Sequence, residues 1–255
     1  MIVIPTAPWL HPVFDALAWS SGIAASAVLY RWRLRGVVER VAARVGPGYF
    51  AALAAGAGLG AWLAGSFNTL RDAAPALSHS VAGALVGAIV GVEGYKAARR
   101  IRGSTGTTFV GSFSLGVVVG RWGCLFAGLP DRTYGTPTGL PWGVDLGDGV
   151  SRHPVQIYES LAMAAFLVLY VQGLHRRRAW ALRRGFYAMC AWYGLQRFAW
   201  EFLKPYPPLA GPLNVFHVLS AGLVIYGCCY AARDLHDQRA QQRALPVPGP
   251  DHQPV

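Results

Sequence analysis

Seven apolar stretches, separated by short polar connections, limit most strongly what this chain can fold into. A helix needs about 20 apolar residues to cross the hydrocarbon core of a bilayer. The stretches cover residues 12–30, 49–66, 77–96, 107–128, 155–173, 185–203 and 213–232. We therefore predict an all-α membrane protein in which residues 1–237 form one domain of seven transmembrane helices.

The basic residues are concentrated in alternate connections. Seventeen of the 23 Lys and Arg residues follow the first, third, fifth or seventh stretch, whereas four lie in the opposite connections. Because cytoplasmic loops carry the excess of Lys and Arg, this pattern places the N-terminus outside and the C-terminus in the cytoplasm. The net charge of +11 is thus explained by membrane topology, so we expect no nucleic acid as a partner.

Two segments lie outside the predicted helices. Residues 129–154 are rich in Pro and Gly, so we expect a small cap loop on the outer side. Residues 238–255 are polar and Pro-rich, which favours a disordered cytoplasmic tail. Residues 1–30 contain no Lys or Arg, so the basic region of a cleavable signal peptide is not expected. The four cysteines lack the spacing of zinc ligands, and we expect no metal.

Two arginines, Arg121 and Arg197, lie inside apolar stretches. An arginine at the centre of a membrane helix costs on the order of 2.5–3.5 kcal/mol, so it usually faces a cavity or a partner. Measured from the cytoplasmic ends of their helices, the two residues lie roughly 21 Å and 18 Å deep, given the helical rise. We therefore expect both side chains at a similar level, beyond the membrane midplane toward the outside.

Further polar residues are expected at this level. They are His79, Arg152, His153, Gln156, Tyr158, Glu159, Tyr193 and Glu201. Tyr193, Arg197 and Glu201 follow one another at intervals of four residues, so they share one face of a helix. A pair of arginines is suited to a phosphate or a carboxylate, which favours an anionic lipid headgroup as the ligand.

Simple structural roles are the alternatives for the same residues. One is an internal ion pair between Arg197 and Glu201, and another is an ion pair between Arg121 and Glu159. For His79, the alternative is a role in capping a helix at the membrane interface. Small residues at intervals of four let a neighbouring helix or an acyl chain approach closely, and in the third stretch these are Gly83, Gly87 and Gly91.

Several short motifs in the chain have recognisable counterparts. Residues 152–159 read RHPVQIYE, which resembles the RHPxQxYE motif of bacterial prolipoprotein diacylglyceryl transferases. Residues 120–128, GRWGCLFAG, resemble the GRxGNFxNGE stretch of this family. Residues 139–144, GLPWGV, resemble a short segment that often lies between these two motifs.

Two further motifs support the resemblance. Residues 193–197, YGLQR, followed by Glu201, resemble the YGxxR…E pattern of the penultimate span. His79, followed by Gly83, lies where the family has its HGG helix. The order of all the motifs agrees with the family, as does the predicted seven-span topology, over roughly residues 75–230.

The resemblance implies a transferase of lipoprotein biosynthesis in the bacterial inner membrane, with an active site that faces the periplasm. Such an enzyme moves a diacylglyceryl group from phosphatidylglycerol to the lipobox cysteine of a preprolipoprotein, and glycerol phosphate leaves. It implies no cofactor. By resemblance, His79 is the base, Tyr193 positions the headgroup, and the residues near the leaving phosphate are Arg121 and Arg197. The residues implied in substrate binding are Arg152, His153, Gln156, Tyr158, Glu159, Glu201, Gly83, Gly123 and Cys124.

The chain departs from the family motifs at four positions. Residues that the family keeps as glycine, asparagine or glutamate are replaced here by Ser80, Cys124, Ala127 and Leu129. The lost amide and carboxylate groups weaken the expected polar network, so we interpret the chain as a divergent member. The alternatives are a related transferase with a different acceptor and a non-catalytic phospholipid-binding paralogue. Cys124, one helical turn from Arg121, is either a plain substitution or a reactive thiol of low pKa.

Overall fold

Long helices form most of the chain in the computed structural model, which describes residues 2–70 and 77–244. The helices are α1 (Leu10–Leu29), α2 (Arg35–Ala42), α3 (Pro47–Thr69), α4 (Val81–Ala98), α5 (Phe109–Ala127), α6 (Val155–His175), α7 (Ala179–Arg183), α8 (Gly185–Glu201) and α9 (Val215–Ala244). A π-helical turn, Tyr30–Leu34, joins α1 to α2. The two short strands are β1 (Ile2–Val3) and β2 (Val144–Asp145). The mostly helical fold expected from the sequence is confirmed.

In the described part of the chain, six helices are long and apolar enough to cross a membrane. They correspond to six of the seven predicted stretches. The remaining stretch, 185–203, corresponds to α8, which has 17 residues and includes the charged Arg197 and Glu201. At the helical rise, α8 is roughly 26 Å long, slightly less than the hydrocarbon core. The multi-pass membrane fold is thus confirmed, whereas the seventh span and the orientation stay predictions.

The last helix is longer than the sequence indicates. It continues to Ala244, so residues 238–244 are helical where disorder was expected. Residues 245–255 lie outside the described residues, and the disordered tail stays a prediction there.

Facing glycines let α3 and α4 pack closely. A Cβ atom added at Gly60 or Gly83 would overlap the carbonyl oxygen of the other residue, and the same holds for Gly56 and Gly87. Small residues allow two membrane helices to approach backbone to backbone in this way. Of the two possibilities for these glycines, a neighbouring helix is therefore the one observed, and the contact buries Gly83 against α3.

The helices form neighbouring pairs around a central space. α1 packs along α5, α3 packs along α4, and α8 packs along α9, while α6 contacts both α5 and α8. The α3–α4 pair is anchored to the rest of the bundle through contacts with α9. The space between the α1–α5 pair and the α3–α4 pair contains a cavity.

The cap, defined here as residues 129–154, is folded onto the N-terminal segment. β1 and β2 pair in parallel, with Ile2 opposite Val144. The backbone of Val144 also exchanges two hydrogen bonds with that of Arg152, at N···O distances of 2.9 and 2.8 Å. A small apolar cluster joins this part of the cap to Leu125 near the end of α5. The predicted cap loop is therefore an ordered structure that covers one end of the α5–α6 pair.

Candidate active site

A cavity of about 1140 Å³ separates the α1–α5 pair from the α3–α4 pair. This volume exceeds that of a typical small-molecule pocket, so the cavity suits a larger ligand. Its walls are mainly apolar, and its edge includes the exposed side chains of Trp19, Ile23, Leu77 and Val81. Its polar and ionisable lining residues include His11, Asp15, Asn68, His79, Arg121, Cys124, Asp131, Thr133, Arg197 and Tyr206.

The two arginines predicted to meet are joined by one carboxylate, that of Glu159. Arg197 Nη1 lies 2.7 Å from Glu159 Oε1, and Arg121 Nε contacts Glu159 Oε2. Arg197 Nε also lies 3.0 Å from Glu201 Oε2. Both arginines line the cavity, although their side chains are only 10% and 5% exposed. The structure thus brings both guanidinium groups together in one chamber, and it also contains both ion pairs named as structural alternatives.

A third cation, Lys204, completes this buried charged cluster. Lys204 Nζ lies 2.7 Å from Glu159 Oε1 and 3.9 Å from Glu201 Oε2. Among the described residues, the cluster therefore consists of three cations and two carboxylates: Arg121, Arg197, Lys204, Glu159 and Glu201. Its formal charge is positive by one unit, so it can accept one further anion at the cavity wall.

Sequence reasoning missed Lys204 and two neighbours of this cluster. Lys204 follows Glu201 by three residues, and this helical spacing is the signal that could have found it. The Asn214 side-chain amide donates a hydrogen bond to Glu201 Oε1 at 3.3 Å. Tyr206 is a cavity-lining residue whose ring lies beneath the Lys204 ammonium group, 5.8 Å from it. Neither Asn214 nor Tyr206 has a sequence motif that would have indicated it.

His79 lies on the cavity wall just before α4. The helix begins after it because Ser80 is the cap: the Ser80 hydroxyl accepts a hydrogen bond from the Gly83 N–H at 3.2 Å. The capping alternative for His79 is therefore wrong. His79 is exposed, so its imidazole is accessible to a ligand in the cavity.

Tyr193 is buried in the core beside the charged cluster rather than among the cavity-lining residues. Its ring packs edge-on against Phe113, with 5.0 Å between ring centroids. Its hydroxyl has no hydrogen-bond partner within the described residues. Gln156 is similarly buried, and its amide nitrogen is also unpartnered there. Neither residue lines the cavity, so the structure does not place these two polar groups in contact with a ligand there.

The motif at residues 152–159 is divided between the cap and the helix bundle. Arg152 forms a bidentate pair with Asp148, at 2.6 and 2.7 Å, and this guanidinium holds the pKa of the Asp148 carboxyl below its ordinary value. The His153 ring packs against Tyr158, which accepts a hydrogen bond from the Trp142 indole at 2.8 Å. Neither the Arg152 side chain nor these rings are among the cavity-lining groups. Within the described structure, the contacts of Tyr158 with Trp142 and His153 join the cap to α6, whereas the Arg152–Asp148 pair lies within the cap.

The two remaining predicted positions, Gly123 and Cys124, lie near the end of α5. A Cβ atom at Gly123 would overlap Phe14, so this glycine lets α1 approach α5 rather than facing the cavity. Cys124 does line the cavity, and Arg121 Nη1 lies 3.7 Å from its sulfur. Of the thirteen residues predicted for the site, the cavity wall thus contains His79, Arg121, Cys124 and Arg197.

Comparisons with known proteins agree with the motifs. Residues 17–233 match the family described as prolipoprotein diacylglyceryl transferase. A phosphatidylglycerol–prolipoprotein diacylglyceryl transferase of Solidesulfovibrio magneticus is 36% identical over 138 residues, which is 50% of each chain. A protein of the same name from Finegoldia magna is 34% identical over 120 residues, covering 47% of this chain and 46% of its own.

The aligned region is limited in extent. The chain spans about half the length of the curated relatives it matches. No solved structure matches the chain significantly. Because the family match covers most of the sequence, from residue 17 to residue 233, the chain belongs to the prolipoprotein diacylglyceryl transferase family.

Proposed function

We propose that this protein transfers a diacylglyceryl group from phosphatidylglycerol to the lipobox cysteine of a prolipoprotein, with release of glycerol phosphate. The observation that carries the proposal is the position of Arg121 and Arg197. The two guanidinium groups share Glu159 and line the same cavity. The names of the relatives, which specify phosphatidylglycerol and prolipoproteins, support the same substrates.

The proposed reaction needs positive charge next to the leaving phosphate. The acceptor thiolate attacks the glycerol carbon, so a C–S bond forms as the C–O bond to phosphate breaks. The electron pair of that C–O bond remains on the phosphate oxygen. Prearranged cations stabilise this developing charge, and Arg121 and Arg197 are the cavity-lining groups that can do so. The formal charge of the cluster changes from positive to neutral when the singly charged phosphodiester binds.

The remaining roles follow from position. His79 is accessible from the cavity, and a histidine is suited to take the acceptor thiol proton near neutral pH. Glu159 and Glu201 orient the arginines and do not contact the lipid. Tyr206 lines the cavity next to Lys204 of the charged cluster, whereas Tyr193 does not line it, so we assign the positioning of the headgroup to Tyr206.

The shape of the cavity supports entry of a lipid from the side. Its walls are lined by small and apolar residues of α3, α4 and α5, which suit acyl chains. Trp19 and Ile23 on α1 and Val81 on α4 are exposed at its edge. We propose that this edge faces the bilayer, that the protein spans the bacterial inner membrane seven times, and that the charged cluster lies toward the periplasmic side.

The experiment is lipidation of a prolipoprotein in a bacterial strain depleted of its own transferase. The wild-type chain should restore the thioether-linked diacylglyceryl group, detected by mass spectrometry of the lipoprotein. Arg121→Ala and Arg197→Ala should abolish it, whereas Arg176→Ala, an exposed arginine after α6, should not. Unmodified prolipoprotein with the wild-type chain, or full modification with both cavity variants, would contradict the proposal.

A different acceptor is the second candidate, because Cys124 lines the cavity beside Arg121 where the family motif has asparagine. This substitution changes the wall near the phosphate site but leaves both arginines in place. Mass spectrometry of total membrane thiols from the complemented strain distinguishes the two acceptors. A diacylglyceryl thioether on another molecule, with prolipoproteins unmodified, favours the second candidate.

A further inference from the structure

Three side chains that are distant in the sequence meet at one point of the cavity wall. His11 lies in the first turn of α1, Cys124 near the end of α5, and Asp131 in the cap. His11 Nε2 lies 3.0 Å from Asp131 Oδ1 and 3.8 Å from Cys124 Sγ, and the ligating atoms of all three lie within 4.8 Å of one another. Ligand atoms around tetrahedral zinc are separated by about 3.3–3.8 Å, given its bond lengths. The three groups therefore have the spacing of a metal site.

Hydrogen bonds with two further residues, Asp15 and Thr133, orient His11 and Asp131. His11 Nδ1 lies 3.0 Å from Asp15 Oδ2, so Asp15 can accept the proton of this nitrogen and leave Nε2 as the free lone pair. The Thr133 hydroxyl donates to Asp131 Oδ2, which leaves Oδ1 toward His11. Metal-binding histidines and carboxylates typically have outer hydrogen bonds of this kind.

The fold brings the three residues together through specific backbone features. The Ala7 N–H donates to the Phe126 carbonyl at 2.7 Å, which fixes the start of α1 beside the end of α5. Gly123 lets Phe14 approach α5 closely. Gly128, with φ of 73°, turns the chain from α5 into the short 3-10 helix that ends at Asp131. Glycine adopts this left-handed conformation without strain.

We propose that His11, Cys124 and Asp131 bind a Zn²⁺ ion with one open coordination position toward the cavity. A thiolate, an imidazole and a carboxylate together form a ligand set that zinc accepts. Three protein ligands with a fourth position left open are typical of catalytic zinc sites. All three residues line the same cavity as Arg121, so the open position lies in the chamber that contains the phosphate-binding arginine. The spacing of the cysteines could not indicate this site, because only one of its ligands is a cysteine.

The identity of the fourth ligand, at the open coordination position, rests on the proposed function. We assign it to the thiol of the acceptor cysteine, which zinc binds as a thiolate. The thiol proton passes to His79, the base of the proposed reaction. The bound sulfur then forms the C–S bond as the C–O bond to phosphate breaks, and the electron pair leaves with glycerol phosphate toward Arg121. The product is a neutral thioether, which binds zinc more weakly than a thiolate and is released.

The competing explanation is a protonated His11 that bridges Asp15 and Asp131 without a metal. Titration of the full-length protein in detergent with Co²⁺, a spectroscopic substitute for zinc, separates the two. We expect one Co²⁺ per chain and a thiolate-to-cobalt charge-transfer band. Cys124→Ser should abolish the band, whereas Cys228→Ser, which changes an exposed cysteine on α9, should retain it.

Two further variants keep the test decisive if Cys124→Ser does not fold. Asp131→Asn should remove the bound metal, and Asp15→Asn should weaken metal affinity by roughly 10- to 100-fold, the usual effect of losing an outer partner. Absence of stoichiometric Co²⁺ or Zn²⁺ in the folded wild-type protein overturns the site. Equal metal binding by wild-type protein and Asp131→Asn overturns it as well.

The open position has its own test. A lipobox peptide that contains cysteine should roughly double the charge-transfer intensity of the cobalt protein, since one thiolate becomes two, while the serine version of the peptide should not. Metal binding without this increase overturns the assignment of the fourth ligand. Diacylglyceryl transfer that persists in metal-free wild-type protein overturns the catalytic role of zinc but leaves the transferase proposal intact. Metal binding in a chain that performs no transfer contradicts the proposed function and leaves the metal site intact.

Discussion

Arg152 and Glu159 stand at opposite ends of one sequence motif, and each forms an arginine–carboxylate pair in a different setting. Arg152 binds Asp148 in the cap, where the aspartate side chain is 32% exposed. Glu159 binds Arg121 and Arg197 inside the helix bundle, where its side chain is 2% exposed. Water screens the first pair, whereas the second is held in a low-dielectric interior. The same chemical pairing therefore anchors a loop in one place and maintains a charged site in the other.

The largest difference between these regions should appear on removal of the central carboxylate. Glu159→Gln leaves Arg121, Arg197 and Lys204 without the anion that all three contact. Breaking a buried ion pair typically costs about 3–5 kcal/mol, because an uncompensated charge remains buried. We expect little folded protein in detergent, measured as a loss of the monodisperse peak in size-exclusion chromatography. Normal yield and thermal stability would contradict the compensating role of Glu159.

The next effect concerns geometry rather than charge. Arg197→Lys retains a cation but cannot reach Glu159 and Glu201 together as the guanidinium does. We expect folded protein with a rate of glycerol phosphate release lower by about 100-fold, the scale of losing one prearranged donor. Arg33→Lys, in the connection between α1 and α2, is the matched control. Equal activity of Arg197→Lys and wild type would show that charge alone suffices.

A smaller effect is expected from the third cation. Lys204→Met removes the charge that makes the cluster positive overall, while both arginines retain their carboxylate partners. Binding of the anionic lipid should weaken, so KM for phosphatidylglycerol should rise several-fold more than kcat falls. Kinetic measurements in mixed micelles separate the two constants. An unchanged KM would show that Lys204 serves only to neutralise Glu159 and Glu201.

The smallest effect should arise in the cap. The pKa of Asp148 is lowered by its hydrogen bonds with Arg152, so this pair stabilises the cap above the ordinary carboxyl pKa and is lost as the pH falls through the lowered value. We therefore expect Asp148→Asn to leave activity near neutral pH almost unchanged, with faster proteolysis of the cap. If Asp148→Asn impairs activity as strongly as Arg197→Lys, the division of the motif into an anchor and a site is wrong.

The sequence predicted the charged site well because an arginine inside an apolar stretch needs either a partner of opposite charge or a cavity. The cost of burial favours a carboxylate partner for Arg121 and Arg197, and Glu159 and Glu201 were the two carboxylates expected at the same depth. Glycine spacing likewise predicted the close contact of α4, since only small residues permit it. These inferences depend on local energetics, which the sequence shows directly.

Other features depend on contacts that no local pattern reveals. Lys204 is one of the four basic residues in the opposite connections, directly after the stretch 185–203, although the chain folds it back onto Glu159. The motif at residues 152–159 was interpreted as one substrate-binding unit, but α6 begins at Val155 and separates its cap residues from its buried ones. His11 and Cys124 are 113 residues apart, so their proximity follows only from the packing of α1 on α5.

The central claim is that Arg121 and Arg197 act on the phosphate of a lipid bound in the cavity. Its most direct test is the release of glycerol phosphate from phosphatidylglycerol by purified protein with a cysteine-containing lipobox peptide. We expect turnover by wild type and by Arg176→Ala, and a rate lower by about 100- to 1,000-fold for Arg121→Ala and for Arg197→Ala. Folded Arg121→Ala and Arg197→Ala proteins that release glycerol phosphate at the wild-type rate would contradict it.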